Sequence, residues 1–197
     1  MQHETHFASA TVLAGRRVGQ KNTHAMAAIA RIRALDGKFN AFLTVLHPEQ
    51  IEQERVPPGP LCGIPIAIKD LTDTAGLRTT YGSALHRDNV PAKDELVVAR
   101  LRRAGAVIVG KTMTPEFGFG AICQNALAGP TRNPWDVDLT SGGSSGGSAV
   151  AVATGMVPIA HGHRLWRLGS YTGQLLRSSR AASYSWCHSL ASAHPCP

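Results

Sequence analysis

The 197-residue sequence lacks any long apolar run. Nothing in it approaches the roughly 18 consecutive apolar residues of a membrane-spanning helix, so no membrane partner is expected. Its opening, Met1-Gln-His-Glu-Thr-His6, has neither a basic start nor an apolar stretch, so no secretory leader is expected and a cytoplasmic location is the expectation. Cysteine is sparse: Cys62, Cys123, Cys187 and Cys196 keep no framework spacing, which reads as reduced thiols. Acidic residues are absent from residues 163–197, which hold Arg164, Arg167, Arg177 and Arg180. Residues 1–162 hold 16 Lys+Arg against 13 Asp+Glu, so most of the +7 net charge comes from the last 35 residues. No basic helix or aromatic–basic interleaving accompanies that charge, so no nucleic-acid partner is expected. What is plentiful is apolar sequence, 43% against 17% charged. That excludes a polar disordered chain and allows one domain with a core.

The order of elements points to an α/β fold. Met26, Ile29, Ile32 and Leu35 form one helical stripe, with Thr23 as expected N-cap and Gly37 as expected stop. An earlier helix is expected around residues 9–19. Gly63-Ile-Pro-Ile-Ala-Ile68 reads as a short buried strand, with Pro65 at its start or on a sheet edge. Asp94 is the expected cap of a helix running to Arg103, and Ala106-Val-Ile-Val109 the next buried strand. Lys111 to Gly129 is rich in glycine and proline and reads as loop. Gly142-Gly-Ser-Ser-Gly-Gly147 then feeds a small-residue helix over Ser148 to Thr154, and Met156-Val-Pro-Ile-Ala160 is a last short strand. Residues 163–197 hold seven serines and two of three tryptophans, without a clear period. They read as foreign to the fold encoded by residues 1–162, and as disordered or out of frame.

The glycine-rich loop admits three chemistries. A phosphate loop would close on Gly-Lys-Ser/Thr, and no lysine follows. Gly142-x-Ser144-x-Gly146 fits a nucleophile elbow, but that site takes an acid after the serine and the last acid here is Asp138. The third is a serine loop served by a lysine base. Lys69 ends the apolar run Ile64-Pro-Ile-Ala-Ile68. Burial there favours the neutral amine, which can take a proton from a hydroxyl. The plainer alternative is a lysine that snorkels from the strand end and pairs with Asp70 or Asp73.

Four blocks in order carry a resemblance: Gly63-Ile-Pro-Ile-Ala-Ile-Lys69-Asp70, Gly110-Lys-Thr-Met-Thr-Pro-Glu-Phe-Gly118, Gly129-Pro-Thr-Arg-Asn-Pro-Trp-Asp136 and Gly142-Gly-Ser-Ser-Gly-Gly-Ser148. Together they resemble the amidase signature family over roughly residues 8–162. The resemblance implies a mixed β-sheet covered by helices, a small-molecule amide substrate, hydrolysis or transfer at its carbonyl, and neither metal nor organic cofactor. It implies a serine–serine–lysine group, with Lys69 as base and Ser144 as the bridging serine after a non-proline cis peptide. Gly142, Gly143 and Ser145 would be the supporting loop. Phe117 and Phe119 read equally as acyl-pocket lining or as core. The resemblance also allows a homodimer in full-length members. A glutaminase-type subunit of a transfer-RNA amidotransferase shares these blocks and is an alternative. A catalytically dead binding or regulatory protein is another.

The nucleophile of that group is expected in a Thr-Asp-x-Gly-Gly-Ser block about two dozen residues after Ser144. Leu168 stands there instead, within Gly162-His-Arg-Leu-Trp-Arg-Leu-Gly-Ser170. Ser170 has no glycine pair before it and is a poor substitute. His163 to Ser170 can be written CAC CGA CTC TGG CGG CTC GGT TCG. From the second base the same letters read Thr-Asp-Ser-Gly-Gly-Ser-Val-Arg. Synonymous codons thus permit the missing block in the neighbouring frame, and a single-base insertion near codon 162 is the expectation that follows. On that reading Cys187, His188, His194 and Cys196 form no zinc site, despite their spacing. The chain would be a fragment without activity, prone to aggregate through exposed strand edges.

Overall fold

The computed structural model describes residues 22–162. In chain order they form α1 (Thr23–Phe39), β1 (Phe42–Val45), α2 (Pro48–Gln53), β2 (Pro65–Lys69), α3 (Leu96–Arg103), β3 (Val107–Thr112), β4 (Gln124–Asn125), β5 (Gly129–Pro130), α4 (Gly146–Ala153) and β6 (Ile159–Ala160). Short 3-10 turns lie at Ala84–His86 and Glu116–Gly118. The main sheet has the order β1-β3-β2-β6, while β4 and β5 make a separate two-stranded piece. Strands β2, β3 and β6 are parallel and β1 is antiparallel to β3, so the sheet is mixed.

Each face of the sheet buries its own apolar set. Ala67, Val107 and Val109 pack with Ile29 and Ile32 of α1 and with Val150 and Ala151 of α4. Ile66, Ile68 and Ile108 pack with Val98 and Leu101 of α3 on the other side. Pro65 opens β2, where a missing N–H costs least. The near-continuous apolar runs of β2 and β3 fit parallel strands covered on both faces.

A register slip decides which residues of β3 face which way. Ile66 pairs with Ile108, but Ala67 pairs with Gly110, so Val109 is the extra residue of a bulge. Strict alternation would put Lys111 on the face of Val107 and Val109. The slip instead pairs Lys111 with Ile68 and Thr112 with Lys69. On the other side of β3, Gly110 lets β1 approach closely: a Cβ there would sit 2.4 Å from the Thr44 carbonyl oxygen.

Several local expectations change. The first helix starts at Thr23, with Asn22 in the cap position, and runs through Gly37 to Asn40, whose φ is 53°. The apolar stripe and packing outweigh one glycine, and Asn40 tolerates the left-handed turn that Gly37 was expected to make. Asn22 donates from its side chain to the Ile51 carbonyl, tying α1 to α2. Asp94 does not cap α3; Glu95 holds that position, while Asp94 accepts from the Ala75 N–H and pairs with Arg102. Lys111 lies in β3 rather than in a loop, and α4 begins inside the glycine run at Gly146. The expected helix at 9–19 and the tail from 163 on lie outside the described residues.

Candidate active site

The parallel strands β2 and β3 end side by side, and their last residues are polar and buried. Lys69, the end of β2, has a side chain with no solvent exposure. Its Nζ lies 2.7 Å from Ser144 Oγ and 2.9 Å from Ser145 Oγ. Both serines sit in the turn that leads into α4, and the Gly143–Ser144 peptide is cis. A Cβ on Gly147 would lie 2.4 Å from the Met113 nitrogen and 2.6 Å from the Ala41 carbonyl oxygen. Glycine there lets the first turn of α4 rest on the chain just beyond β3, which carries the serines to the lysine.

The environment sets the charge of Lys69. Burial pushes its pKa down to about 8, and the nearby Cys123 thiol opposes that shift. Burial likewise pushes the Cys123 thiol up, so it stays neutral near pH 7 and offers the lysine little compensating charge. The amine therefore deprotonates within reach of two hydroxyls, and in its neutral form the nitrogen can accept from Ser144.

The remaining wall comes from residues 120–123. A Cβ added to Gly143 would meet Cys123 N, the Gly120 carbonyl oxygen and the Ile122 carbonyl carbon at 3.2 Å, so this segment lies on the cis peptide. Ser148, one turn into α4, donates to the His161 carbonyl at 2.7 Å and bonds Thr112 Oγ1 at 2.7 Å. The link draws residues 161–162 against Ser145, whose Oγ would lie 3.0 Å from a Cβ on Gly162. Phe117 and Phe119 are exposed, 43% and 69%, and are not core residues. Phe117, at φ 49°, packs edge-on against His86.

The structure thus brings Lys69, Ser144 and Ser145 together, with Gly142 and Gly143 in the same turn. Leu168 lies outside the described residues, as do Cys187, His188, His194 and Cys196. Among the described residues no cluster of metal-ligating side chains occurs, and no helix is long and apolar enough to cross a membrane. Sequence reasoning missed Cys123, because a lone cysteine in a glycine-rich stretch carries no pattern. It also missed a second buried lysine, Lys111, whose bonds are long-range in sequence.

The site thus joins a buried lysine to a serine that follows a cis glycine peptide, at the end of a mixed sheet. A family model described as Amidase matches residues 25–163, and the chain belongs to the amidase signature family. It is similar to the glutamyl-tRNA(Gln) amidotransferase A subunit of Sulfurisphaera tokodaii, 44% identical over 156 residues covering 77% of this chain and 32% of the relative. The protein of the same name from Thermus thermophilus is 43% identical over 158 residues, 80% of this chain and 32% of the relative. Among solved structures, the Thermotoga maritima glutamyl-tRNA(Gln) amidotransferase A subunit superposes with a TM-score of 0.69 at 35% identity, over 76% of this chain and 32% of that one. A 6-aminohexanoate cyclic dimer hydrolase complexed with substrate gives 0.72 at 32% identity, over 79% and 33%. The chain therefore spans about a third of the length of these relatives.

Proposed function

We propose that this chain carries the proton-accepting half of a serine–serine–lysine site for carboxamide C–N bond cleavage. The observation that supports it most directly is the 2.7 Å contact between buried Lys69 and Ser144. In the proposed sequence of events, neutral Lys69 takes the Ser144 proton while Ser144 takes one from an attacking hydroxyl. That hydroxyl adds to the amide carbonyl, and the proton returns through the same relay to the leaving amine. Water then cleaves the acyl-enzyme. Ser145, also on Lys69, holds the amine in place.

The attacking hydroxyl is the part this sequence does not supply. Leu168 occupies its expected position, and the family match stops at residue 163. We therefore propose that the chain as it stands does not turn over amides. Purified chain incubated with simple aliphatic and aryl amides should release no ammonia above a Lys69→Ala control. Clear release that Lys69→Ala abolishes would overturn the inactivity, while supporting the assignment of the base.

A second reading has its own support. Relatives at 39–44% identity carry the name of the glutamyl-tRNA(Gln) amidotransferase A subunit, and among solved structures that subunit superposes at 35% identity, against 32% for the 6-aminohexanoate cyclic dimer hydrolase and 28% for an aryl acylamidase. On this reading the parent site takes glutamine and passes ammonia to a partner. Genes for partner subunits beside the coding sequence would favour it, and their absence would favour a free-standing amidase.

A further inference from the structure

The buried charge of this fold is not confined to the site. Lys111 is as deeply buried as Lys69, and it leaves the neighbouring strand on the opposite face of the sheet. Its Nζ donates to the Thr72 carbonyl at 2.5 Å, to Thr79 Oγ1 at 2.8 Å and to Thr74 Oγ1 at 3.2 Å. It also lies 3.8 Å from Asp70 Oδ1. Asp70 directly follows Lys69 and is itself fully buried. Its Oδ2 accepts from the Thr80 N–H at 2.9 Å and from Thr80 Oγ1 at 2.5 Å, and Oδ1 has no hydrogen bond of its own. The Asp70 N–H donates to the Thr112 carbonyl, and the Lys69 carbonyl accepts from the Thr72 N–H.

These bonds have one shared effect. They lock the chain on both sides of the Lys69 backbone to the end of β3 and to the returning segment 72–80. Burying an ion pair is weak evidence for stability, since apolar residues of similar volume often serve as well. Here the pair sits back-to-back with the amine, and the slip at Val109 is what sends Lys111 to that side.

We propose that Asp70 and Lys111 are positioning residues, which fix the end of β2 so that the Lys69 amine is held, desolvated, on Ser144. The assignment rests on the reading of Lys69 as proton acceptor. The charged and titratable groups that act on Lys111 include Asp70, Asp73, Asp94 and Glu95, and among the described residues the Cys123 thiol acts on Lys69. The pair lies on the opposite face of the sheet from the Lys69 side chain and is tied to it through the backbone bonds of Asp70 and Thr72.

The test is the pH profile of acetylation of Lys69 by acetic anhydride in the full 197-residue chain, read by mass spectrometry, with circular dichroism to check the fold. In the unchanged chain the midpoint should lie near 8. In Asp70→Asn and Lys111→Met it should move up by about one pH unit or more as the amine is released to water. Lys111→Arg, which keeps charge and donors, should stay close to the unchanged chain. If Asp70→Asn does not fold, the paired swap Asp70→Leu with Lys111→Met decides, since it removes both charges together. A folded variant whose Lys69 midpoint does not move overturns the proposal. An ordinary midpoint near 10.5 in the unchanged chain overturns instead the reading of Lys69 as a neutral acceptor.

Discussion

At the scale of single residues, two lysines carry the physics that this fold cannot hide. Burial pushes both Lys69 and Lys111 down to about 8 from an ordinary 10.5. A folded pKa below the unfolded one means that the unfolded chain binds the extra protons between pH 8 and 10.5, so stability rises with pH across that window. Each lysine contributes at most about 1.4 kcal/mol per pH unit there. Two groups work the other way. Cys123 is raised above 9.0 by burial, and Tyr81 is raised to about 12, first by its hydrogen bond to Asp73. Groups with raised folded pKa values lose their stabilising contribution as the pH climbs past the unfolded value. Urea midpoints should therefore rise from pH 8, peak between 9 and 10, and fall above 10. Lys69→Met should weaken the rise between pH 8 and 9; an equal rise in that variant would show that Lys69 is not depressed. Lys69 and Ser144 stand in contiguous blocks, so they could be singled out in the sequence, and the structure puts them in contact. The contacts of Asp70, Lys111 and Cys123 could not be read there, because they join residues far apart in the chain and, for Lys111, follow a bulge.

At the scale of elements, glycine marks both what the sequence could say and what it could not. The runs of β2 and β3 were legible because a parallel strand covered on both faces is apolar throughout. Strand β1 was not, because Phe42–Val45 buries only its first residue fully and so leaves no alternation. Gly37 and Gly147 look equally like breaks in the sequence, yet the structure separates them. Gly37 sits exposed inside α1, and a Cβ there meets nothing within 4 Å. Gly37→Ala should stabilise the chain by about 0.5–1 kcal/mol through lower backbone entropy in the unfolded state. Gly147 has backbone atoms of Met113 and Ala41 within 2.6 Å of the same added carbon. Gly147→Ala should destabilise by about 1–3 kcal/mol, as overpacking does, and should loosen the serine turn from Lys69. Urea titrations of the two variants side by side check both signs, and equal effects would mean that α4 does not approach the strand as described.

At the scale of the whole molecule, the proposed base and relay serine need an attacking group to make a complete acyl-transfer centre. The fold itself supplies a sheet that ends in Lys69, a turn that brings Ser144 to it, and the Asp70–Lys111 pair beneath. The attacking oxygen would have to come from the stretch that reads His163-Arg-Leu-Trp-Arg-Leu-Gly-Ser170, where a shift of one base permits Thr-Asp-Ser-Gly-Gly-Ser. The nucleotide sequence across codons 155–197 should show that second frame open and continuous. Deleting one base near codon 162 should then yield a longer chain that releases ammonia from small amides or from glutamine. Lys69→Ala in that restored chain should lower turnover by about 10²–10⁴-fold, the scale of a lost general base. Since the amine must be neutral to work, activity in the restored chain should rise with pH through about 8, the value burial sets for Lys69. A second frame closed by stop codons directly after codon 162 would refute the frameshift, and a restored chain indifferent to Lys69→Ala would refute the site.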